Sequence, residues 1–398
     1  MKICDLTQFY SPVSGGVKRY IEQKVAYLRR CRPDCRHILI VPGEKTEQQT
    51  DGPSTIHTIR SPLVSRTSRY RMLLNLSAVE RILEEEKPSI IESGDPYQVA
   101  WKAVLSGQAL GIPAVGFYHS HFPEAYLRSV AKYFGKMSLQ ITQDFSERYI
   151  RALYNRFHRT LVPSPALADL LTTWGVENVV KTDLGVDTRM FVPRGSSPAF
   201  EKERQTLRAD LGLAPSTILL LYVGRLASEK NLPTLLAAFR LLEKEQPGRF
   251  ALLAIGDGTQ RSTLQKMKAE SAQVHWVPYC GEAEKLAAYY RAADLFVHPG
   301  LLETFGLVTL ESQACGTPVV GIRGSYMDRL NFSDPGHWAE TNTPASLARA
   351  IQNMAARDLA ALGESASRTV HARYSWDAVF SHIFATYEEV IRHPEPWP

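Results

Sequence analysis

The stretch HPGLLETFGLVTLESQACGTPVVG, from His298 to Gly321, sets two glutamates, Glu303 and Glu311, on either side of a helix start. Between them Thr304-Phe305-Gly306-Leu307 predicts a tight turn with free backbone N–H groups at the helix N-terminus, a ready anion site. Carboxylates repel a bare phosphate, so both glutamates are expected to accept hydrogen bonds from hydroxyls. A ligand with phosphate in its middle and a hydroxylated ring at each end satisfies all of these groups, which is the chemistry of a nucleotide-sugar. Glu303, ahead of the turn, is expected to reach the sugar hydroxyls. Glu311, more than one helical turn inside, is expected at the ribose. Phe305, Gly306, Leu307 and Val308 form the donor-side turn itself. Leu307, Leu310 and Ala314 make a buried stripe, and Gly316 ends the helix ahead of Pro318.

Upstream, the same half of the chain repeats a strand-then-loop pattern. Strands are expected at Ile218–Val223, Ala251–Ile255, Val274–Val277, Leu295–His298 and Val319–Gly321. The first leads into Val223-Gly224-Arg225-Leu226-Ala227-Ser228-Glu229-Lys230-Asn231, where glycine permits a turn and Arg225 and Lys230 supply cations for phosphate. Without neighbours that pair reads as solvated surface charge; beside the acidic motif it reads as a diphosphate clamp. Gly256-Asp257-Gly258 is a turn, and equally a close backbone approach to the donor at Gly256. Val277-Pro278-Tyr279 ends the third strand. No Asp-x-Asp metal motif occurs in either half, so fixed cations are left to stabilise a departing diphosphate.

The N-terminal half alternates strands and helices too. Lys2–Leu6, His37–Val41, Ile90–Glu92, Ala114–Tyr118 and Thr160–Val162 read as strands, with helices over Lys18–Arg30 and Leu73–Glu86 between them. In the first helix Tyr20, Val25, Tyr27 and Leu28 are assigned to the core. Such βαβ units build parallel sheets, whose ligands bind beyond the carboxyl ends of the strands. There lie Gly15 and Gly16, Asp95 after the third strand, and His119 and His121 after the fourth. Phe191–Pro198 has linker composition, which splits the chain at 195/196. Residues 196–373 form the second domain, and 374–398 a terminal amphipathic helix.

Together these strings resemble retaining glycosyltransferases of family 4, in order and over nearly the whole chain. The family carries a Glu-x7-Glu signature and a Gly-Arg-(x)4-Lys motif over the donor diphosphate. The resemblance implies an α/β GT-B fold: two Rossmann-like, doubly wound domains facing a central cleft, with the C-terminal helix crossing back onto the N-terminal domain. It implies a metal-independent hexosyltransferase with no cofactor, the nucleotide-sugar being a substrate. His119, Arg225, Lys230 and Glu303 are its implied catalytic set. Gly16 and Gly256 would lie beside the donor, and Val277 and Pro278 would hold the base through backbone atoms. Gly15, Asp95 and His121 fall on the acceptor side, although relatives often carry Asp where His121 stands. Ser164 and Asp187 match family strings as scaffold. Retention implies an α-linkage formed by front-face displacement, with the leaving phosphate oxygen helping to take the acceptor's proton. A UDP-hexose is the favoured donor and GDP-mannose the next; the acceptor is a lipid or saccharide hydroxyl.

The bulk numbers agree with two domains. At 398 residues, 44% hydrophobic and 22% charged, the chain is ordinary globular protein. No apolar run reaches the roughly 18 residues that span a bilayer. The start turns polar after Leu6 without a secretory apolar core, and the five cysteines are scattered, so a cytoplasmic chain with reduced thiols is expected. Residues 1–195 hold 26 Lys/Arg against 19 Asp/Glu, while residues 196–398 hold 20 against 22. The basic half, with aromatic and basic side chains mixed over Arg60–Met72 and Phe122–Arg159, fits peripheral docking on an anionic membrane face. It fits equally a solvated surface over packed helices; both readings stand. Nothing points to nucleic acid. A dinucleotide oxidoreductase is disfavoured because no Gly-x-Gly-x-x-Gly follows a first strand in either half. A non-catalytic sugar-nucleotide or polysaccharide-binding protein is the remaining alternative.

Overall fold

The computed structural model describes residues 1–10, 16–64, 69–119, 143–301, 306–325, 327–334, 338–393 and 396–397. The chain divides into two compact units, Met1–Leu184 with Val379–Pro398, and Gly185–Ala378. Gly185–Gly195 belongs to the second unit, because the Val186 N–H donates to the Tyr374 carbonyl at 2.7 Å and the Phe191 ring packs on Tyr290.

The first unit is built on an eight-stranded sheet in the order β3-β4-β2-β1-β5-β6-β7-β8. Its strands are β1 (Lys2–Leu6), β2 (Arg36–Gly43), β3 (Glu47–Asp51), β4 (Ser54–Arg60), β5 (Ile90–Ser93), β6 (Ala114–Phe117), β7 (Arg159–Val162) and β8 (Val179–Lys181). All pairs are parallel except β3 with β4. The continuous apolar runs of β1 and β2 are buried on both faces, which is why they read as unbroken hydrophobic strings rather than alternating ones. β3, β4 and β8 are not among the strands expected from sequence. β3 is Glu-Gln-Gln-Thr-Asp with every residue exposed, an edge strand with no apolar face to signal it. The Asp51-Gly52 pair that turns β3 into β4, with Gly52 at φ +57°, is the local signal for this hairpin.

The second unit holds a five-stranded, all-parallel sheet, β11-β10-β9-β12-β13. It comprises β9 (Ile218–Val223), β10 (Phe250–Ile255), β11 (Val274–Val277), β12 (Leu295–His298) and β13 (Val319–Gly321). Helices Leu232–Glu245, Arg261–Glu270, Ala283–Ala292 and Leu307–Ala314 connect successive strands, the crossovers a parallel sheet requires. Leu219–Leu221, Leu252–Ala254 and Phe296–Val297 are all fully buried, as strands covered on both faces must be.

The first helix, Gly16–Cys31, corrects one expectation about the core. Val25 is only half-buried, and the inward positions are Tyr20, Ile21, Lys24, Tyr27 and Leu28. Lys24 is tolerated there because its ammonium meets two carboxylates of the sheet. It lies 2.7 Å from Asp5 Oδ1 and 3.0 Å from Glu92 Oε1, and it donates to the Tyr387 hydroxyl at 3.1 Å. Tyr387 comes from the C-terminal helix Trp376–Arg392, which returns to the first unit. Phe380 and Phe384 of that helix pack on Tyr27, and Arg32 pairs with Glu388 at 2.6 Å. The basic-aromatic stretch is also corrected in part. Phe157 is core at 1% exposure, and Arg159 pairs with Glu389. Residues 122–142 of that stretch lie outside the described residues.

Candidate active site

Because β9 to β12 run parallel, their carboxyl ends share one edge of the second sheet, with Val223, Ile255 and Val277 in register. The loops leaving that edge are stitched by backbone. The Gly224 N–H donates to Ile255 O and the Gly256 N–H to Val277 O, each at 3.0 Å. The Leu226 N–H donates to Asp257 O at 3.0 Å, and the Gln260 N–H returns to Leu226 O at 2.7 Å. Gly256 sits at φ +143°, and a Cβ there would stand 2.0 Å from the Gly224 carbonyl oxygen. Only hydrogen fits, so the glycine is demanded by backbone against backbone. Trp276 Nε1 donates to Gly256 O at 2.9 Å and holds the turn flat against β11. Val277 is half-buried and Pro278 exposed where that strand ends.

On this platform the Arg225 side chain is exposed and rests 3.2 Å from Glu229 Oε1. Lys230 ends the 3-10 turn Ser228–Lys230. Asn231, in the left-handed region at φ +56°, donates from Nδ2 to the Pro299 carbonyl at 2.8 Å. That bond ties the cationic loop to the segment leading toward Glu303. Glu303 and Phe305 themselves lie outside the described residues. Gly306 opens helix Leu307–Ala314 at φ +84°, with Met327 Sδ where a Cβ would project. The buried stripe differs from expectation. Leu307 and Val308 are half-buried, whereas Glu311 is 2% exposed and accepts from the Tyr290 hydroxyl at 3.1 Å, on the same inner face as Leu310 and Ala314. A helical carboxylate held this deep is oriented rather than solvated. Gly316, at φ +77°, follows the helix end as expected.

The first unit has its own carboxyl edge, where Leu6, Ser93 and Gly116 are in register. Asp95 is buried there and accepts from the Gln8 N–H at 2.8 Å and the Tyr97 N–H at 3.3 Å. Burial outweighs these bonds and raises its carboxyl to about 6. Asp95 therefore straps the loop after β1 to the loop after β5. His119 is stacked on Phe117 at 3.8 Å, with the Tyr20 ring edge-on at 4.9 Å. Burial first, then the charge of Lys24, lowers its imidazole to about 3, so the ring is neutral. Gly16 begins the first helix with open space around it, while Gly15 and His121 lie outside the described residues. Ser164 is buried at the end of β7, and Asp187 accepts from the Arg189 N–H, both scaffold roles. Sequence reasoning placed Tyr20 in the core without a functional part, and passed over Lys24, Glu92 and Tyr387. The available signal was a lysine inside the apolar face of the first helix.

Each of these carboxyl edges is where a parallel α/β sheet takes its ligands. Residues 14–190 match the family model Glycosyltransferase Family 4, and residues 203–369 match Glycosyl transferases group 1. The chain belongs to glycosyltransferase family 4; its fold is GT-B, and it is a hexosyltransferase using a nucleotide-sugar. It is similar to a GDP-mannose-dependent alpha-(1-6)-phosphatidylinositol dimannoside mannosyltransferase of Mycobacterium tuberculosis, 27% identical over 97% of this chain and 96% of that protein. A GDP-mannose-dependent alpha-mannosyltransferase of Corynebacterium glutamicum is 28% identical over 83% of this chain and 75% of its own. Among solved structures, the sucrose-phosphate synthase of Thermosynechococcus elongatus superposes with a TM-score of 0.73 at 20% identity, covering 98% and 99% of the two chains. The expected preference for a UDP-hexose is not supported by the two mannosyltransferase relatives, which are named for GDP-mannose.

Proposed function

We propose that this protein is a retaining, metal-independent mannosyltransferase that moves mannose from GDP-mannose to a hydroxyl of a lipid or saccharide. The observation that carries it is the stitched edge of the second sheet. Backbone hydrogen bonds join the turns at Gly224, Gly256 and Val277 there, and Arg225 and Lys230 lie on the loop that borders them. Such an arrangement supplies what a departing diphosphate needs, amide dipoles and fixed cations. Glu311, oriented by Tyr290, accepts from the ribose hydroxyls, and Glu303 takes the sugar hydroxyls. Val277 and Pro278 meet the base through backbone. In the first unit, neutral His119 exchanges hydrogen bonds with sugar or acceptor hydroxyls, Gly16 lies beside the donor, and Gly15 and His121 border the acceptor. Front-face displacement then leaves the donor's phosphate oxygen to take the acceptor proton, with no side-chain nucleophile required. The names of the two mannosyltransferase relatives support the choice of donor.

A ligand that binds only the folded state stabilises it by about 2.7 kcal/mol at a hundred times its Kd. GDP is therefore expected to raise the melting temperature in EDTA, with UDP giving no comparable shift, and GDP-mannose to be consumed with an acceptor lipid extract. A shift from UDP alone would replace the donor, and a GDP shift abolished by EDTA would sink the metal-free reading.

The chain also docks peripherally on the cytoplasmic face of an anionic membrane. Among the described residues no helix is long and apolar enough to cross one. What supports docking is a short hairpin-like segment in the first unit. Leu63, Val64, Met72 and Leu74 are exposed there at 40–63% of their surface, beside Arg60, Arg69 and Arg71. Apolar tips flanked by cations suit an anionic interface. Vesicle flotation checks this: binding to vesicles with phosphatidylglycerol is expected, weakened by Val64→Asp with Leu74→Asp. Equal recovery of both proteins would count against docking.

A further inference from the structure

A cluster of buried ionisable groups in the first unit ends on one residue of the proposed site. At its centre is Lys24, fully buried between Asp5 of β1 and Glu92 of β5. His37 of β2 closes the far side, its Nε2 3.0 Å from Asp5 Oδ2 and its Nδ1 2.7 Å from Ser54 Oγ. Glu92 Oε2 accepts from the Tyr20 hydroxyl at 3.1 Å and from the Tyr387 hydroxyl of the C-terminal helix. The Lys24 ammonium also sits 4.6 Å from the centre of the Tyr20 ring. Tyr20 is therefore held at its hydroxyl, under its face and by Phe380, which packs 5.5 Å away. It also meets His119 in an edge-to-face contact, and the His119 ring is stacked on Phe117. Gly94 completes the seat: a Cβ there would stand 3.4 Å from His119 Cδ2.

A structural charge cluster of this size is expensive. Two carboxylates and an ammonium are taken out of water, and an apolar replacement of equal volume commonly matches or exceeds such a group in stability. The arrangement does something an apolar core does not. It fixes the rotation of an aromatic ring from both ends, and that ring bears on a half-buried imidazole at the carboxyl edge of the sheet.

We infer that Tyr20 is a positioning residue for His119, locked in turn by the Lys24–Asp5–Glu92 cluster that Tyr387 of the C-terminal helix completes. The inference rests on the proposed role of His119 for its catalytic consequence, but not for its geometry. Through this chain of contacts the last helix sets the orientation of an imidazole on the acceptor side. The groups acting on that imidazole are the Tyr20 ring and the Lys24 ammonium from the first helix, with Asp5 from the sheet behind. Burial first, and then the ammonium nearby, disfavours a positive charge, so the ring is presented neutral, able to accept at one nitrogen and donate at the other.

The test is a pH titration of 13C-labelled histidine in the full chain, with the His119 signal assigned from His119→Gln, alongside steady-state kinetics. In the wild type the His119 signal is expected to stay that of a neutral ring down to pH 5. Tyr20→Leu should displace and broaden it and lower kcat roughly tenfold, with donor KM nearly unchanged, while Tyr20→Phe restores most of both. Tyr387→Phe, which removes one hydroxyl, should move the signal in the same direction by less. An unchanged His119 signal in Tyr20→Leu and Tyr387→Phe overturns the inference. If His119→Gln itself keeps full turnover, the reading of the site fails instead, and the signal shifts still decide the positioning.

Discussion

Arg225→Ala and Lys230→Ala are each expected to lower kcat/KM by about 10²–10³-fold, the usual consequence of removing one group that stabilises developing charge. The melting temperature should stay within about 2 °C of wild type in both. The separation follows from where the side chains sit. Arg225 is anchored by its backbone, whose carbonyl accepts from the Tyr222 hydroxyl at 2.8 Å, while its guanidinium is exposed beside Glu229. The Lys230 backbone is set by the 3-10 turn and by the 3.1 Å bond from its N–H to Ala227 O. Truncating either removes charge without opening a cavity. Arg225→Lys should recover part of the loss, since it keeps the charge but not the planar fork. Steady-state kinetics with GDP-mannose, paired with thermal melts, check the claim. Turnover within threefold of wild type would remove these residues from the diphosphate.

Lys24→Met should destabilise the protein by about 3–5 kcal/mol at neutral pH, because one substitution strands two buried carboxylates without their counter-ion. The pH dependence gives this prediction its sign. In the wild type, burial alone would raise the Asp5 carboxyl, but Lys24 and His37 overcome it and bring it from 3.8 to about 2. The stabilisation from Asp5 is therefore complete above its unfolded value and is lost as pH falls from about 4 through 2. Glu92 behaves oppositely: burial raises its carboxyl above 4.5 despite Lys24, so it costs stability as it ionises at higher pH. In Lys24→Met both carboxyls are raised. The variant should then regain stability as pH falls below 7, and the two stability curves should converge toward acid. Denaturant unfolding between pH 7 and pH 4 measures this directly. A constant difference across that range would mean that the lysine contributes by packing and not by charge.

Much of the donor side was legible in the sequence because it depends on local chemistry. Gly224, Gly256 and Gly306 are glycines demanded by turns, and a turn is a property of a few consecutive residues. Strand ends follow from apolar runs that stop, and every run named from sequence in the second half is a strand of the second sheet. The acceptor side was less legible. β3 and β4 carry few apolar residues, and β3 is wholly exposed, so periodicity had nothing to act on. Lys24 was passed over because a lysine in a helix is normally solvated. Its partners Asp5 and Glu92 are separated from it by 19 and 68 positions in the sequence, and Tyr387 by 363.

What the sequence by itself determined is therefore the family, the doubly wound architecture and the order of the loops at the carboxyl edge of the second sheet, all of which are written in short contiguous strings. Tertiary structure decided which polar groups are buried together. It turned Glu311 inward against Tyr290, seated His119 on Phe117 and Tyr20, and gave Lys24 two carboxylates. The physical reason is that burying a charge is favourable only where opposite charges converge on it. That convergence is a property of the folded sheet and helices, not of any stretch of chain.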